Sequence, residues 1–348
     1  MRPVCADCRS FQHICCMPIK KSDRSDTLDF TKGALVLFMV LYHGMNYLGN
    51  LTLPHEYLKF LPPSFIFITG FIVTHIYLNR SEAGSSSLRR RIFVRSWKIW
   101  LLFTLLNMVA LIAIGYNSFG FLELVTRYLG EWQAIYIKGS NRKAVFEILL
   151  PISYVLLLSI PLIALHRLYP HFIYACTAVT VILCIAADLL ELSLFNAYMI
   201  SAGLLGMAVG ITSRESVQRA SESVVCVLLT LGVYCVFNTI WPDAYATQIY
   251  ATLAIVFAIY ALARQLNPNR LLFRQVVLLG QYSLFSYIIQ ILILQVYFRF
   301  IAGRVHMQYF SYGIIIITAL FVWGAVYVLG MMRDKNEMID SLYRAVFA

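Results

Sequence analysis

His43 lies in Leu28–Asn50, LDFTKGALVLFMVLYHGMNYLGN, an apolar run about long enough to cross a bilayer as a helix. Histidine is the side chain that most readily gives or takes a proton near neutral pH. The same run holds Asp29, Lys32 and Asn46. Ionisable groups in such a segment are costly and usually face a protein interior or a water-filled cavity. Lys32 and His43 are eleven residues apart. At roughly 100° per residue both lie on one helix face, about 16 Å apart along the axis. Asn46 and Tyr47 follow His43 at i+3 and i+4 and extend that face. Asp29 stands one turn before Lys32. The pattern predicts a polar stripe with a cation at one end and a proton-transfer group at the other. The structural alternatives are a histidine hydrogen-bonded for packing and a lysine snorkelling to the membrane surface.

Two further stretches carry candidate chemistry. In Arg89-Arg-Arg-Ile-Phe-Val-Arg95-Ser-Trp-Lys98, the residues Arg91, Arg95 and Lys98 recur at i+4 and i+3 and form one basic face. Such a face suits phosphate binding; the plainer explanation is a positively charged membrane anchor with Trp97 and Trp100 at the interface. Arg95 and Lys98 fall one to two turns into an apolar span, which the anchor explains less well. Near the C-terminus, Gln281, Ser283, Ser286, Tyr287 and Gln290 interrupt an apolar helix. They cannot all face lipid at low cost, so the pattern predicts that they line the interior. Thr69-Gly70 is a small pair within an aromatic run, suited to close helix contact. His75 reads as interfacial.

These residues need elements to hold them. Of 348 residues, 60% are hydrophobic and 13% charged, against about 25% charged in a soluble domain. The chain reads as an all-α, polytopic transmembrane helix bundle. About ten spans are expected: 28–48, 60–79, 92–115, 144–165, 171–190, 195–212, 223–241, 246–263, 275–299 and 309–331. Residues 1–27 read as a cytoplasmic leader without fixed structure, 28–331 as the membrane bundle and 332–348 as a cytoplasmic tail. With both termini inside, the tails and even-numbered loops hold eighteen Lys/Arg and the odd-numbered loops six. That asymmetry favours this orientation, and it explains the net charge of +11 without nucleic acid as a partner. No cleavable signal peptide is legible, since residues 1–27 have no apolar core.

Four of the eight cysteines lie in apolar spans and read as small core or lipid-facing residues. Cys5-x-x-Cys8 has the form of half a zinc site, but Cys15 and Cys16 lack the spacing of a second half, so no metal is expected. Tyr116–Lys143 is a long connection without a clear span of its own, and such loops are often functional. Pro151 and Pro161 fall in the fourth span and read as kinks; Pro62-Pro63 suits the first turn of the second.

Together these stretches resemble the membrane-bound acyltransferase-3 family, including its branch that succinylates periplasmic glucans. The family's Leu-Asp-x-x-Arg-Gly, with a His eleven residues after the Arg, looks like Leu28-Asp29-Phe30-Thr31-Lys32-Gly33 followed by His43. Phe67-Ile-Thr69-Gly70-Phe71 is similar to its Phe-x-x-Ser-Gly-Phe. The basic stretch corresponds to Arg91, Arg95 and Lys98. Its late Leu-Gly-x-x-Ser-Leu-x-x-Tyr-x-x-His looks like Leu279-Gly280, Ser283-Leu284 and Tyr287, with Gln290 in place of the histidine. Lysine for arginine keeps the charge and loses the bidentate fork; glutamine cannot act as an acid or base. The resemblance implies acyl transfer from cytoplasmic acyl-CoA to a hydroxyl of an extracytoplasmic carbohydrate or glycolipid, in a bacterial inner membrane. It implies catalytic roles for His43, Asn46, Tyr47 and Ser283. Lys32, Arg91, Arg95 and Lys98 are expected to bind acyl-CoA, and Asp29, Tyr287 and Gln290 to contact substrate. The other readings are a glucosaminide-type N-acetyltransferase, a proton-coupled transporter or flippase, and an inactive relative.

Overall fold

A long apolar segment away from water can satisfy its backbone only internally, and the helix does so. Every regular element described is helical in the computed structural model, which describes residues 25–48, 55–78, 86–115, 121–139, 146–192, 194–212, 214–300 and 308–347. The helices are α1 (Asp26–Leu48), α2 (Leu61–Leu78), α3 (Ser86–Gly115), α4 (Phe121–Gly130), α5 (Leu149–Leu168), α6 (Phe172–Leu189) and α7 (Phe195–Ile211). They continue as α8 (Arg214–Glu222), α9 (Val224–Ile240), α10 (Tyr245–Gln265), α11 (Leu271–Gln281), α12 (Ser283–Phe300), α13 (Gln308–Lys335) and α14 (Glu337–Phe347).

Among the described residues, five helices are long and apolar enough to cross a membrane: Leu88–Ala110, Leu149–Leu168, Phe172–Leu189, Tyr245–Gln265 and Tyr312–Lys335. The pair α11–α12 passes the same test jointly but is bent by 85° at Tyr282, which makes six if it counts as one. Helices α2, α7 and α9 are apolar but shorter, and α1 carries Asp26, Asp29 and Lys32. The sequence count of ten spans thus divides into five or six helices that meet length and composition and others that are shorter or more polar. The long connection is not featureless: it contains α4 and a π-helical turn, Gln133–Lys138. Residues 1–24, with the four leader cysteines, lie outside the described residues.

Two backbone crossings organise the bundle. A Cβ on Gly70 would stand 2.0 Å from the Gly203 carbonyl oxygen, and one on Gly206 2.0 Å from that of Phe67. Small residues therefore let α2 and α7 touch through their backbones, and Thr74 Oγ1 donates across the contact to the Met207 carbonyl at 2.9 Å. The close contact predicted for Thr69-Gly70 is formed here. The second crossing joins α1 to α11. A Cβ on Gly33 would meet the Val276 carbonyl oxygen at 1.9 Å, and one on Gly280 that of Asp29 at 1.7 Å. This crossing sets the Lys32 end of α1 against the break between α11 and α12. Pro62 and Pro63 occupy the first turn of α2, and Pro151 that of α5, where no backbone donor is lost; Pro161 lies inside α5.

Candidate functional site

The α1–α11 crossing places Lys32 beside the break that begins α12. Lys32 pairs with Asp29 one turn back, Nζ to Oδ1 at 2.5 Å, with the Asp29 side chain 2% exposed and that of Lys32 16%. Asp29 is therefore the counter-charge of Lys32, a structural role beside the substrate contact expected for it. Across from Lys32, Arg95 of α3 faces the same space.

That space is a cavity of two lobes. The outer lobe, about 730 Å³, includes Lys32, His75, Arg95, Arg333 and Arg344 in its wall. The inner lobe, about 150 Å³, runs past Ile68, Ile99 and Ile152 to Ser283 and Tyr287. Both lobes share Lys32, Ile72, Arg95, Gln281, Tyr343 and Phe347. The cavity is thus basic at one end and apolar along its length. Ser283 opens α12 directly after the break, so the bend is what brings it onto the wall.

His43 stands behind the inner end. Its ring lies 6.0 Å from that of Tyr287, and Phe146 also meets Tyr287, edge-on at 6.1 Å. Tyr287 lines the inner lobe and His43, in contact with it, does not. Beside His43, Tyr42 shares a hydrogen bond with Asn46 and is in electrostatic range of Glu147. The side chain of Tyr47 lies outside the described residues.

The basic face divides on folding. Arg95 lines both lobes. Lys98 donates to the Arg344 carbonyl of α14 at 3.1 Å. Arg91 is exposed and is not in the cavity wall. Gln290 is fully buried and off the wall; its amide oxygen and nitrogen, and Ser286 Oγ on the same helix face, have no hydrogen-bond partner among the described residues. His75 lies against the outer lobe, stacked on Phe71 at 5.0 Å.

Sequence reasoning missed Glu147, Arg333, Tyr343, Arg344 and Phe347. Glu147 had a signal, an ionisable residue inside the expected fourth span, which is a functional hypothesis by default. The C-terminal four had none, because only the fold brings the end of α13 and α14 to the mouth near Lys32. No protein-family model, curated protein or solved structure matches the chain.

Proposed function

We propose that the protein is an integral-membrane acyltransferase that moves an acyl group from cytoplasmic acyl-CoA to a hydroxyl of an extracytoplasmic carbohydrate or similar acceptor. One observation carries this reading: a cavity with Lys32 and Arg95 at its mouth continues as an apolar lobe to Tyr287, beyond which stands His43. The dimensions of α1 make the two ends about 16 Å apart, a distance suited to a polyanionic head at one end and a thioester at the other. The motif resemblance of α1 and of residues 279–287 supports the same assignment, as does the excess of Lys/Arg expected on the cytoplasmic side. In this reading ten helical passes carry both termini inside, in a bacterial inner membrane.

The roles follow from the chemistry of each group. Lys32 and Arg95 hold the phosphates of the donor. The isoleucine-rich walls exclude water from the pantetheine arm. His43 removes the proton of the acceptor hydroxyl as it attacks the thioester carbonyl, and CoA leaves as the thiol once protonated. Ser283 and Asn46 are the donors assigned to hold the oxyanion or the acceptor. Tyr287 must turn aside for donor and base to meet. His43→Ala, checked for expression and folding, is expected to lower acyl transfer by about 10²-fold or more, read as acceptor acylation and release of free CoA. An unchanged rate overturns the assignment.

The 85° break between α11 and α12 favours a second reading. Broken helices near charged groups also mark transporters, and His43 with Lys32 could relay protons. A transporter moves its solute without consuming acyl-CoA, so CoA release separates the two.

A further inference from the structure

The last helix, α14, is not free of the bundle. One residue, Asn336, connects it to α13. Asn336 caps the new helix, its Oδ1 accepting from the Met338 and Ile339 amides at 2.9 and 3.4 Å. An isolated helix of eleven residues is marginal in water, so α14 is ordered by what it touches. Tyr343 and Phe347 stack on each other at 5.0 Å and reach Tyr282 and Phe285. Both line the two lobes of the cavity. Lys98 of α3 holds the Arg344 carbonyl.

The polar clamp is Asp340. Its Oδ1 accepts from Arg333 Nε at 2.9 Å and Nη2 at 2.5 Å, and its Oδ2 pairs with Arg344 Nη2 at 2.6 Å. The Arg333 guanidinium also lies 4.0 Å from the centre of the Tyr343 ring. One carboxylate thus occupies two guanidiniums of the outer lobe and leaves their charge half neutralised. A phosphate, with about −1.5 to −2 charge and three acceptor oxygens, is the better match for the pair.

We infer that α14 is a displaceable latch on the basic mouth: Asp340 serves as an internal counter-anion on Arg333 and Arg344, and a phosphate-bearing ligand takes its place. Displacement turns α14 about Asn336, withdraws Tyr343 and Phe347 from the junction of the lobes, and adds two guanidiniums to Lys32 and Arg95. The identity of that ligand as acyl-CoA rests on the proposed function; the latch itself does not.

The test uses the full chain in phosphatidylcholine nanodiscs, with coenzyme A and inorganic pyrophosphate as probes. Hydrogen exchange of residues 337–347 reads the latch, and calorimetry reads affinity. Either probe is expected to raise exchange across 337–347 in the native chain. Asp340→Asn is expected to raise it without a probe and to tighten binding of both probes roughly fivefold, the scale of one ion pair. Arg344→Gln keeps the Arg333–Asp340 pair and serves if Asp340→Asn fails to fold. It is expected to weaken both probes by a similar factor. Exchange that neither the substitution, the probes nor added phosphatidylglycerol changes overturns the latch. Loosening by Asp340→Asn with no response to either probe or to phosphatidylglycerol also overturns it, since Asp340 is then a structural clamp alone. Response to pyrophosphate but not to coenzyme A keeps the latch and removes the acyl-CoA reading. Loosening seen only after phosphatidylglycerol is added keeps the latch and assigns the anion to a lipid headgroup.

Discussion

At the scale of residues, the Asp29–Lys32 pair is the most deeply held charge in the mouth. Removing one member of a buried pair leaves the other's charge poorly solvated and costs about 3 kcal/mol or more, whereas replacing both with apolar groups of similar size is often near neutral. Asp29→Leu is therefore expected to lower the thermal unfolding midpoint more than the double change Asp29→Leu, Lys32→Met. The double change is expected to abolish binding of phosphate-bearing donors all the same. Tyr287 makes a different prediction, because it lines the inner lobe and meets His43. Tyr287→Phe keeps the ring and is expected to leave transfer within a few-fold, while Tyr287→Ala removes it. Single-turnover measurement with acyl-CoA is expected to show faster loss of the acyl group to water in Tyr287→Ala. The spacing of Lys32 and His43 was legible in the sequence because helical geometry alone fixes it. The role of Asp29 was not, since a carboxylate one turn from a lysine can face the lysine or a ligand equally well.

At the scale of elements, the α1–α11 crossing fixes the mouth, and its glycines can be tested. Gly280→Ala would put a methyl group 1.7 Å from the Asp29 carbonyl oxygen, a backbone atom that cannot turn away. The helices must separate, with a loss of stability of about 1–3 kcal/mol of the overpacking kind and reduced donor binding. Gly232 and Gly324 have nothing within 4 Å of a built Cβ, so alanine there is expected to be neutral or stabilising by up to about 1 kcal/mol. Thermal unfolding of the three variants checks the contrast. Helix α14 gives the pH dependence. The hydrogen bond from Arg333 is the main reason the Asp340 carboxyl lies below its ordinary value; burial opposes it, and the Arg344 hydrogen bond adds to it more weakly. Lys98 on α3 and Asp334 on α13 lie near the clamp, and Asp29, Lys32, His75 and Arg95 share the wall of its lobe. A depressed carboxyl stabilises the closed latch above its ordinary pKa, about 4, and loses that contribution as the pH falls through the lower folded value. Fluorinated phenylalanine at position 347 is expected to give one unchanged resonance from pH 7.5 to 5 and a mobile one only below about pH 4. The polar residues 281–290 were legible as interior-facing, but the 85° break at Tyr282 was not, and it lies beside the close α1–α11 contact.

At the scale of the molecule, the polar stripe of α1 connects two different environments. Its Lys32 end opens into a wide basic space lined by α14, and the ring of His43 at its other end meets those of Tyr287 and Tyr42. If, as proposed, both termini are inside, reporters fluorescent only in the cytoplasm are expected to be bright at either end of the chain. A dark reporter at one terminus would mean an odd number of passes and would place donor and base on the wrong sides.

Composition and the 3.6-residue period determined the helical class, the membrane setting and the shared face of Lys32 and His43, because these depend on local chemistry and regular geometry. Only the tertiary structure decided which cations meet. It turned Arg95 into the cavity, gave Lys98 to α14 and left Arg91 outside. It also brought Asp340, Tyr343 and Arg344 back to the mouth across some 300 residues of chain. No periodicity records such a contact: it exists only because glycines let α1 and α11 cross closely enough for the two ends of the sequence to share one cavity.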